Sequence, residues 1–356
     1  MTGQAAAEPL YAVGIIGCGN IFERYVTGMR GLGGVNIAWC ADLDEPLARK
    51  RGEEFGIAGG SVADALADRL GPADLVVNLT PPAAHAAVSR QVLLANKHVY
   101  VEKPLATAPA DAAAILRLAA DRELLVGAAP DWILSATAQA AGQAIQAGRI
   151  GEPVAVSAFA THSKVEQWHP SPAMFFTAGA GPVLDIGPYY ISALAHLLGP
   201  VRSVAALERV GASERQVTSP GRTVDTVPVD VPTHVCAVLE FASGTIGTLT
   251  LSFDAWERTM PFIEIYGTEG TLSLPMPHES DGQVRLKLHS DADWIRLTPP
   301  DGPYTRGIGV TDMAAAITEG KPHKATGTAA YHVLEVLTAL STASSRHEIV
   351  PVTSTP

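Results

Sequence analysis

The stretch Val13–Phe22, VGIIGCGNIF, decides the fold. A β-branched apolar run ends at Gly17, and a segment with helical spacing, IFERYVTGMRG, opens at Ile21. Glycines at 17 and 19 permit a tight turn and let a phosphate approach the backbone. The helix N-terminus that follows supplies N–H donors and a partial positive charge. Gly17, Gly19, Asn20 and Ile21 are therefore expected to cradle a pyrophosphate. The pattern is Gly-x-Gly-x-x-Phe, with Phe22 where a third glycine is usual. Asp42 ends the next apolar run, NIAWCAD. An acidic side chain there accepts hydrogen bonds from ribose hydroxyls and repels a 2′-phosphate, which favours NAD. Arg49 or Lys50 nearby keeps NADP open. The other duty open to Asp42 is to cap the helix beginning near Glu45, for which Asp44 is better placed.

Outward from this turn, strand and helix signals alternate through EPLARKRGEEFG, ADLVVNLT, AAHAAVSRQVLLAN, HVYVEKP, DAAAILRLAADR and LLVGAA. Such alternation predicts an α/β unit with a parallel sheet and helices on both faces, residues 1–129. Beyond it the grammar changes. A helix over Leu134 to Gln146, the strand PVAVSAFAT and the helix PYYISALAHLLG are followed by strands in series: 234–253, 262–274, 283–289 and 293–298. ASG and GTEG are hairpin turn signals among them. Residues 130–356 are predicted to form an α+β domain with a mostly antiparallel sheet, completed by helices near Val310 to Glu319 and Thr328 to Thr342. Gly211 to Asp230 shows no periodicity and reads as a mobile loop.

Composition narrows the function. Of 356 residues, 47% are hydrophobic and 17% charged, so disorder is excluded for most of the chain. A net charge of -11 argues against a nucleic-acid partner. The three cysteines, Cys18, Cys40 and Cys236, form no Cys-x-x-Cys, so neither a disulfide framework nor a zinc site is expected. Cys18 and Cys40 read as small core residues. The histidines lack metal-binding spacing, and no metal is expected. The N-terminus lacks the pattern of a signal peptide, and no run reaches the ~18 apolar residues of a membrane span. A cytoplasmic protein is the expectation.

The stretch HVYVEKPLA, His98–Ala106, runs an apolar strand into a carboxylate, an ammonium and a proline. Ligands of open α/β sheets bind beyond the carboxyl ends of the strands, where NLTPP, Asn78–Pro82, also ends. Lys103 placed there could stand near a nicotinamide and donate a proton, polarise a carbonyl or tune a neighbour. Glu102 could orient it, and Pro104 restricts it to extended conformations. A surface Lys–Glu pair is the bland alternative, and such pairs contribute little.

Taken together, VGIIGCGNI, CAD, LTPP followed by His85, and KHVYVEKPLA resemble the glucose-fructose oxidoreductase / inositol dehydrogenase / rhizopine catabolism family, written Gfo/Idh/MocA. The resemblance continues through AGRIGEPV, GAGPVLDIGPYYISALAHLLGPV and IEIYGTEGTLSL, almost the whole chain. It implies a Rossmann domain, a C-terminal domain with a large open sheet, a nicotinamide cofactor and a catalytic lysine, Lys103. It also implies Thr80, Pro81, His85, Glu102 and Lys103 as cofactor-side residues. Many members carry Asp-x-Gly-x-His-x-x-Asp, which here reads DIGPYYIS. Asp185 and Gly187 match, Tyr189 replaces the histidine and Ser192 the last aspartate. Inositol chemistry is thereby put in doubt, and the tyrosine resembles the glucose-fructose oxidoreductase, dihydrodiol dehydrogenase and ketoreductase branches. Tyr189 would exchange the proton while Lys103 stabilises its phenolate, or the two roles are reversed. Packing at a helix start is the other duty open to Tyr189 and Tyr190.

Asp185 could orient substrate or tyrosine, or cap a helix. THSKVEQWHP, 161–170, gathers His162, Trp168 and His169. Trp168 could stack on a sugar ring or aromatic diol with His169 as a hydroxyl partner, or the two could be a core tryptophan and a loop histidine. Asp131 stands where many members carry a basic substrate-side residue. Its sign weakens the case for an anionic substrate. The expected partner is a small polyhydroxylated molecule, converted by a homo-dimer or homo-tetramer. The rival readings are an NAD-dependent glycoside hydrolase working by transient oxidation and a non-catalytic sugar or dinucleotide sensor.

Overall fold

The computed structural model describes residues 11–161, 165–169, 171–222, 224–257, 259–279, 282–297 and 304–356. Its contacts divide the chain into two units. The first comprises residues 1–102, 114–131 and 305–327, and the second comprises 103–113, 132–304 and 328–356. A single division at 129/130 does not express this interleaving.

In the first unit, six strands form one wholly parallel sheet: β1 (Tyr11–Ile16), β2 (Val35–Asp42), β3 (Ala58–Ser61), β4 (Leu75–Asn78), β5 (His98–Val101) and β6 (Val126–Ala128). Their order is β3-β2-β1-β4-β5-β6. The order reverses between β1 and β4, the crevice where sheets of this kind bind ligands. Val13, Ile15, Val76, Val77, Val99 and Val101 are fully buried, as expected for strands covered on both faces. Residues 305–327 return to this unit because the helix Ile308–Glu319 buries Val310 and Met313 and donates the Gly309 N–H to Asp131 at 2.9 Å. A bridge from Gly127 to Thr326 extends the attachment.

The second unit is built on a nine-stranded sheet. Its strands are β7 (Pro153–Thr161), β8 (Val201–Arg209), β11 (His234–Phe241), β12 (Ile246–Ser252), β13 (Ile263–Gly267), β14 (Gly270–Leu274), β15 (Arg285–Leu288), β16 (Ile295–Arg296) and β17 (Val350–Pro351). The order is β16-β15-β14-β13-β7-β12-β11-β8-β17, with β7–β12 the one parallel pair. β11 alternates strictly, burying Val235, Ala237, Leu239 and Phe241 and exposing Cys236, Val238 and Glu240. The helix Gly187–Leu198 is apolar on nearly every side and lies in this unit's core.

The segment 211–230 corrects the expectation of a mobile loop. It contains a two-stranded ribbon, β9 (Glu214–Gln216) against β10 (Thr226–Pro228). Val217, Val227 and Val229 are buried, and Arg215 ion-pairs with Asp254 and stands 3.8 Å from Glu166. Its apolar anchors are too few and too irregularly spaced to read as a strand pattern. Among the described residues no helix is long and apolar enough to cross a membrane, and no group of three His, Cys, Asp or Glu is arranged to hold a metal.

Candidate active site

In the first unit, β1 delivers the glycine turn. Gly17 has φ of +104°, and a Cβ on it would lie 2.6 Å from the Leu79 carbonyl carbon. Only glycine fits a turn pressed that closely against the segment after β4. A Cβ on Gly19 meets no protein atom within 4 Å, and Gly19 and Asn20 are exposed. No neighbouring protein group therefore demands glycine at 19, while backbone N–H groups at the start of the helix Phe22–Leu32 face an open approach. Phe22, in the third fingerprint position, is buried edge-on against Phe55 at 5.6 Å.

Asp42 ties this turn to the end of β2. Its carboxylate accepts the Cys18 N–H at 2.7 Å and the Asp44 N–H at 3.0 Å. Asp44 caps the helix Glu45–Phe55 by accepting the Leu47 N–H at 3.1 Å, so Asp42 is left half-buried at the strand end. Arg49, a candidate for a 2′-phosphate, is ion-paired to Glu45. The set fits a dinucleotide: a close-packed turn, an unobstructed helix start and a carboxylate at the second strand's end.

The segment after β4 is organised by buried Asn78. Its amide donates to the His85 carbonyl and to Ser89, and its oxygen accepts from the Thr80 N–H and hydroxyl. His85 is 1% exposed and places Nε2 2.7 Å from the Thr80 carbonyl. It braces the loop from inside, whereas Thr80 is half-buried and Pro81 exposed. Glu102, at the end of β5, accepts the Tyr25 hydroxyl at 2.9 Å and stands 3.8 Å from Arg306. Burial first, and Glu102 second, push the Tyr25 phenol well above its ordinary range, so it stays a donor. Asp131 is fully buried, accepting from the Tyr100 hydroxyl at 3.1 Å and from the Gly309 N–H at 2.9 Å.

The second unit begins at Lys103, one peptide bond after Glu102. Its ammonium donates to the Asp185 carbonyl at 2.7 Å and to the Asp185 carboxylate at 2.8 Å. The same nitrogen lies 5.2 Å from the centre of the Tyr189 ring, within cation–π range. Asp185 ends the short helix Gly181–Asp185, and Tyr189 sits in the first turn of Gly187–Leu198, opened by Pro188. Ile186 occupies the N-cap of that second helix with no side-chain cap bond. Asp185 thus grips the lysine, a contact the sequence did not offer beside orienting substrate or tyrosine and capping a helix. Tyr189 is 7% exposed, and its ring meets His278 at 5.0 Å between centres.

Trp168, 49% exposed, is not a core residue. It packs edge-on with His169 at 5.4 Å and with Phe175 at 6.1 Å. His169 Nδ1 accepts the Ser171 N–H at 3.0 Å, so the proton of its neutral ring sits on Nε2. His162 lies outside the described residues. Asp185's grip on Lys103, Arg306 and Tyr25 around Glu102, and His278 against Tyr189 escaped sequence reasoning. A histidine in PMPHE carries no local signal, and the Tyr25–Glu102 bond spans 77 positions.

Residues 11–129 match the description "Oxidoreductase family, NAD-binding Rossmann fold", and residues 138–273 match "GFO/IDH/MocA C-terminal domain". The chain belongs to the Gfo/Idh/MocA oxidoreductase family, and its cofactor is NAD. It is 26% identical to levoglucosan dehydrogenase of Pseudarthrobacter phenanthrenivorans over 75% of this chain and 73% of that protein. It is 28% identical to dTDP-3,4-didehydro-2,6-dideoxy-alpha-D-glucose 3-reductase of Streptomyces violaceoruber, over 85% and 82% respectively. In fold it is similar to levoglucosan dehydrogenase in complex with NADH and L-sorbose, at a TM-score of 0.84 and 21% identity, covering 97% of this chain and 99% of that one.

Proposed function

We propose that this oxidoreductase interconverts a carbinol and a carbonyl on a small polyhydroxylated molecule, a sugar, cyclitol or cyclic diol. The observation that carries the reading is the Lys103 ammonium, fixed twice by Asp185 and lying 5.2 Å from the Tyr189 ring centre. The names of relatives support the substrate class: they include a levoglucosan dehydrogenase, a 1,5-anhydro-D-fructose reductase and an inositol 2-dehydrogenase.

Gly17, Gly19, Asn20 and Ile21 would hold the pyrophosphate, Asp42 the adenosine ribose, and Thr80, Pro81, Glu102 and Lys103 the cofactor's remaining length, with His85 supporting that loop. When bound, nicotinamide supplies or accepts the hydride. Tyr189 exchanges the substrate hydroxyl proton, and the adjacent ammonium stabilises the negative charge that the phenol acquires. Asp185 fixes the direction of the ammonium, so no reorganisation is needed as charge develops. Trp168 offers an exposed indole face for a sugar ring and His169 an Nε2–H donor for a hydroxyl.

The test is a panel of polyols, aldoses and anhydrosugars with NAD+, and of keto-sugars with NADH. Cofactor turnover with at least one of them is expected. Glycoside cleavage with no net cofactor change would instead support transient oxidation. NADH binding without turnover of any compound would support a sensor. A cytoplasmic homo-oligomer is part of the same proposal. The thiols are unpaired, and the solvent face of the nine-stranded sheet exposes Leu207, Val238 and Ile246.

A further inference from the structure

The solvent face of the nine-stranded sheet carries a thiol beside a base. On β11, residues 234, 236, 238 and 240 share that face. Cys236 is exposed, and its sulfur lies 3.3 Å from His234 Nε2. His234 Nδ1 lies 2.9 Å from the hydroxyl of Ser252, its partner in register on β12. Ser252 is fully buried and accepts the Asp254 N–H at 3.0 Å, so the group that holds the imidazole is itself fixed. On the other flank, Arg209 of β8 stands opposite His234, and exposed Leu207 stands opposite Cys236.

We propose that Cys236 is a thiol–disulfide exchange site for a carboxylate-bearing low-molecular-weight disulfide, with His234 as its proton acceptor, and that the mixed disulfide prevents this face from pairing with a second copy. The part about pairing rests on the homo-oligomer reading above.

Exchange needs a thiolate and a place for its proton. With Nδ1–H donated to Ser252, the lone pair on Nε2 faces the thiol. Nε2 takes the proton as the Cys236 sulfur attacks one sulfur of the incoming disulfide. One S–S bond forms and the old one breaks. The departing thiolate recovers the proton from the imidazolium and leaves as a thiol. The protein thiol is oxidised, half of the disulfide is reduced, and no further oxidant enters. Arg209 adds a cation on the same face, which favours both a thiolate and a reagent carrying carboxylates. Excess free thiol runs the step backwards.

The consequence for assembly follows from the neighbours. Leu207 lies across from the thiol and Val238 two positions along the strand, both exposed and apolar. A glutathionyl group would bring carboxylates and an ammonium onto that strip. Those charges would have to be desolvated for the face to pair. Pairing, in turn, covers the sulfur.

The experiment treats the full-length protein with oxidised glutathione. Intact mass and a non-reducing peptide map should show a single glutathionyl adduct, on Cys236, removed by dithiothreitol. His234→Gln, with its melting temperature checked, should form the adduct about tenfold more slowly or worse. Should that variant fail to fold, His234→Asn puts the same question. Light scattering should give a smaller species for the adduct than for the untreated chain, and Cys236→Ser should keep its mass through the treatment. Adduct formation should also slow as protein concentration rises. No adduct on Cys236, or one that forms equally fast without the imidazole, would overturn the exchange site. An adduct that leaves the mass of an oligomer unchanged would overturn its effect on pairing. An untreated chain that is a monomer would overturn the homo-oligomer reading and the pairing effect with it, while the adduct and its dependence on His234 still decide the exchange site.

Discussion

Tyr189 and Lys103 can be separated by removing one functional group at a time. Tyr189→Phe keeps the ring that packs on His278 and Lys103 and loses the hydroxyl alone. Turnover should fall by about 10²-fold or more, with NADH affinity retained, if the phenol exchanges the proton. Lys103→Ala should be at least as damaging. A Tyr189→Phe enzyme turning over near the wild-type rate would remove the phenol from the mechanism. The sequence identified this pair through motif position, and it separated Asp42 from Asp44 because an N-cap is a local device. It could not foresee that Asp185 holds Lys103, since that contact joins residues 82 positions apart. The hydrogen bonds of Asp131 were out of reach for the same reason: Tyr100 and Gly309 lie 31 and 178 positions away.

At the scale of elements, buried histidines tie a helix and a loop to neighbouring strands. His332, fully buried on the helix Gly327–Arg346, accepts the Val201 N–H at its Nε2 and has Ser354 at Nδ1. His323 places Nε2 3.2 Å from the Val126 carbonyl. Burial lowers both below the ordinary histidine range. The unfolded chain then binds protons that the folded one refuses. Their stability contribution is present above about pH 6.5 and is lost as pH falls toward the folded values. The melting temperature should drop as pH falls below about 6.5, and His332→Gln should flatten that slope. A slope unaltered by the substitution would assign the acid sensitivity elsewhere. The parallel sheet was legible because each strand–turn–helix unit is local. The ribbon β9–β10 was not, because three buried valines in a polar stretch have no period.

For the whole molecule, the solvent face of the nine-stranded sheet is the surface most in need of a partner. Val238 lies on β11, flanked in register by Ala205 and Thr248. A charge there would be desolvated in any face-to-face pairing. Light scattering is expected to give a dimer or tetramer for the native chain and a smaller species for Val238→Glu. An unchanged mass for that variant would exclude this face. The two sheets were readable in outline from alternating and serial strand patterns. The distribution of the chain between the two units was not, because it is set by contacts made after the sequence has run on for two hundred residues.

That interleaving bears on how the protein is made. The nucleotide-binding half receives the helix Ile308–Glu319 only once the ribosome has passed residue 327. A nascent chain of 131 residues would present the seat for Met313 and Val310 bare, with no acceptor-seeking N–H to meet Asp131. Its maturation must wait for nearly all of translation, and an expression clone ended at that point should yield an aggregation-prone fragment in place of a miniature of the domain.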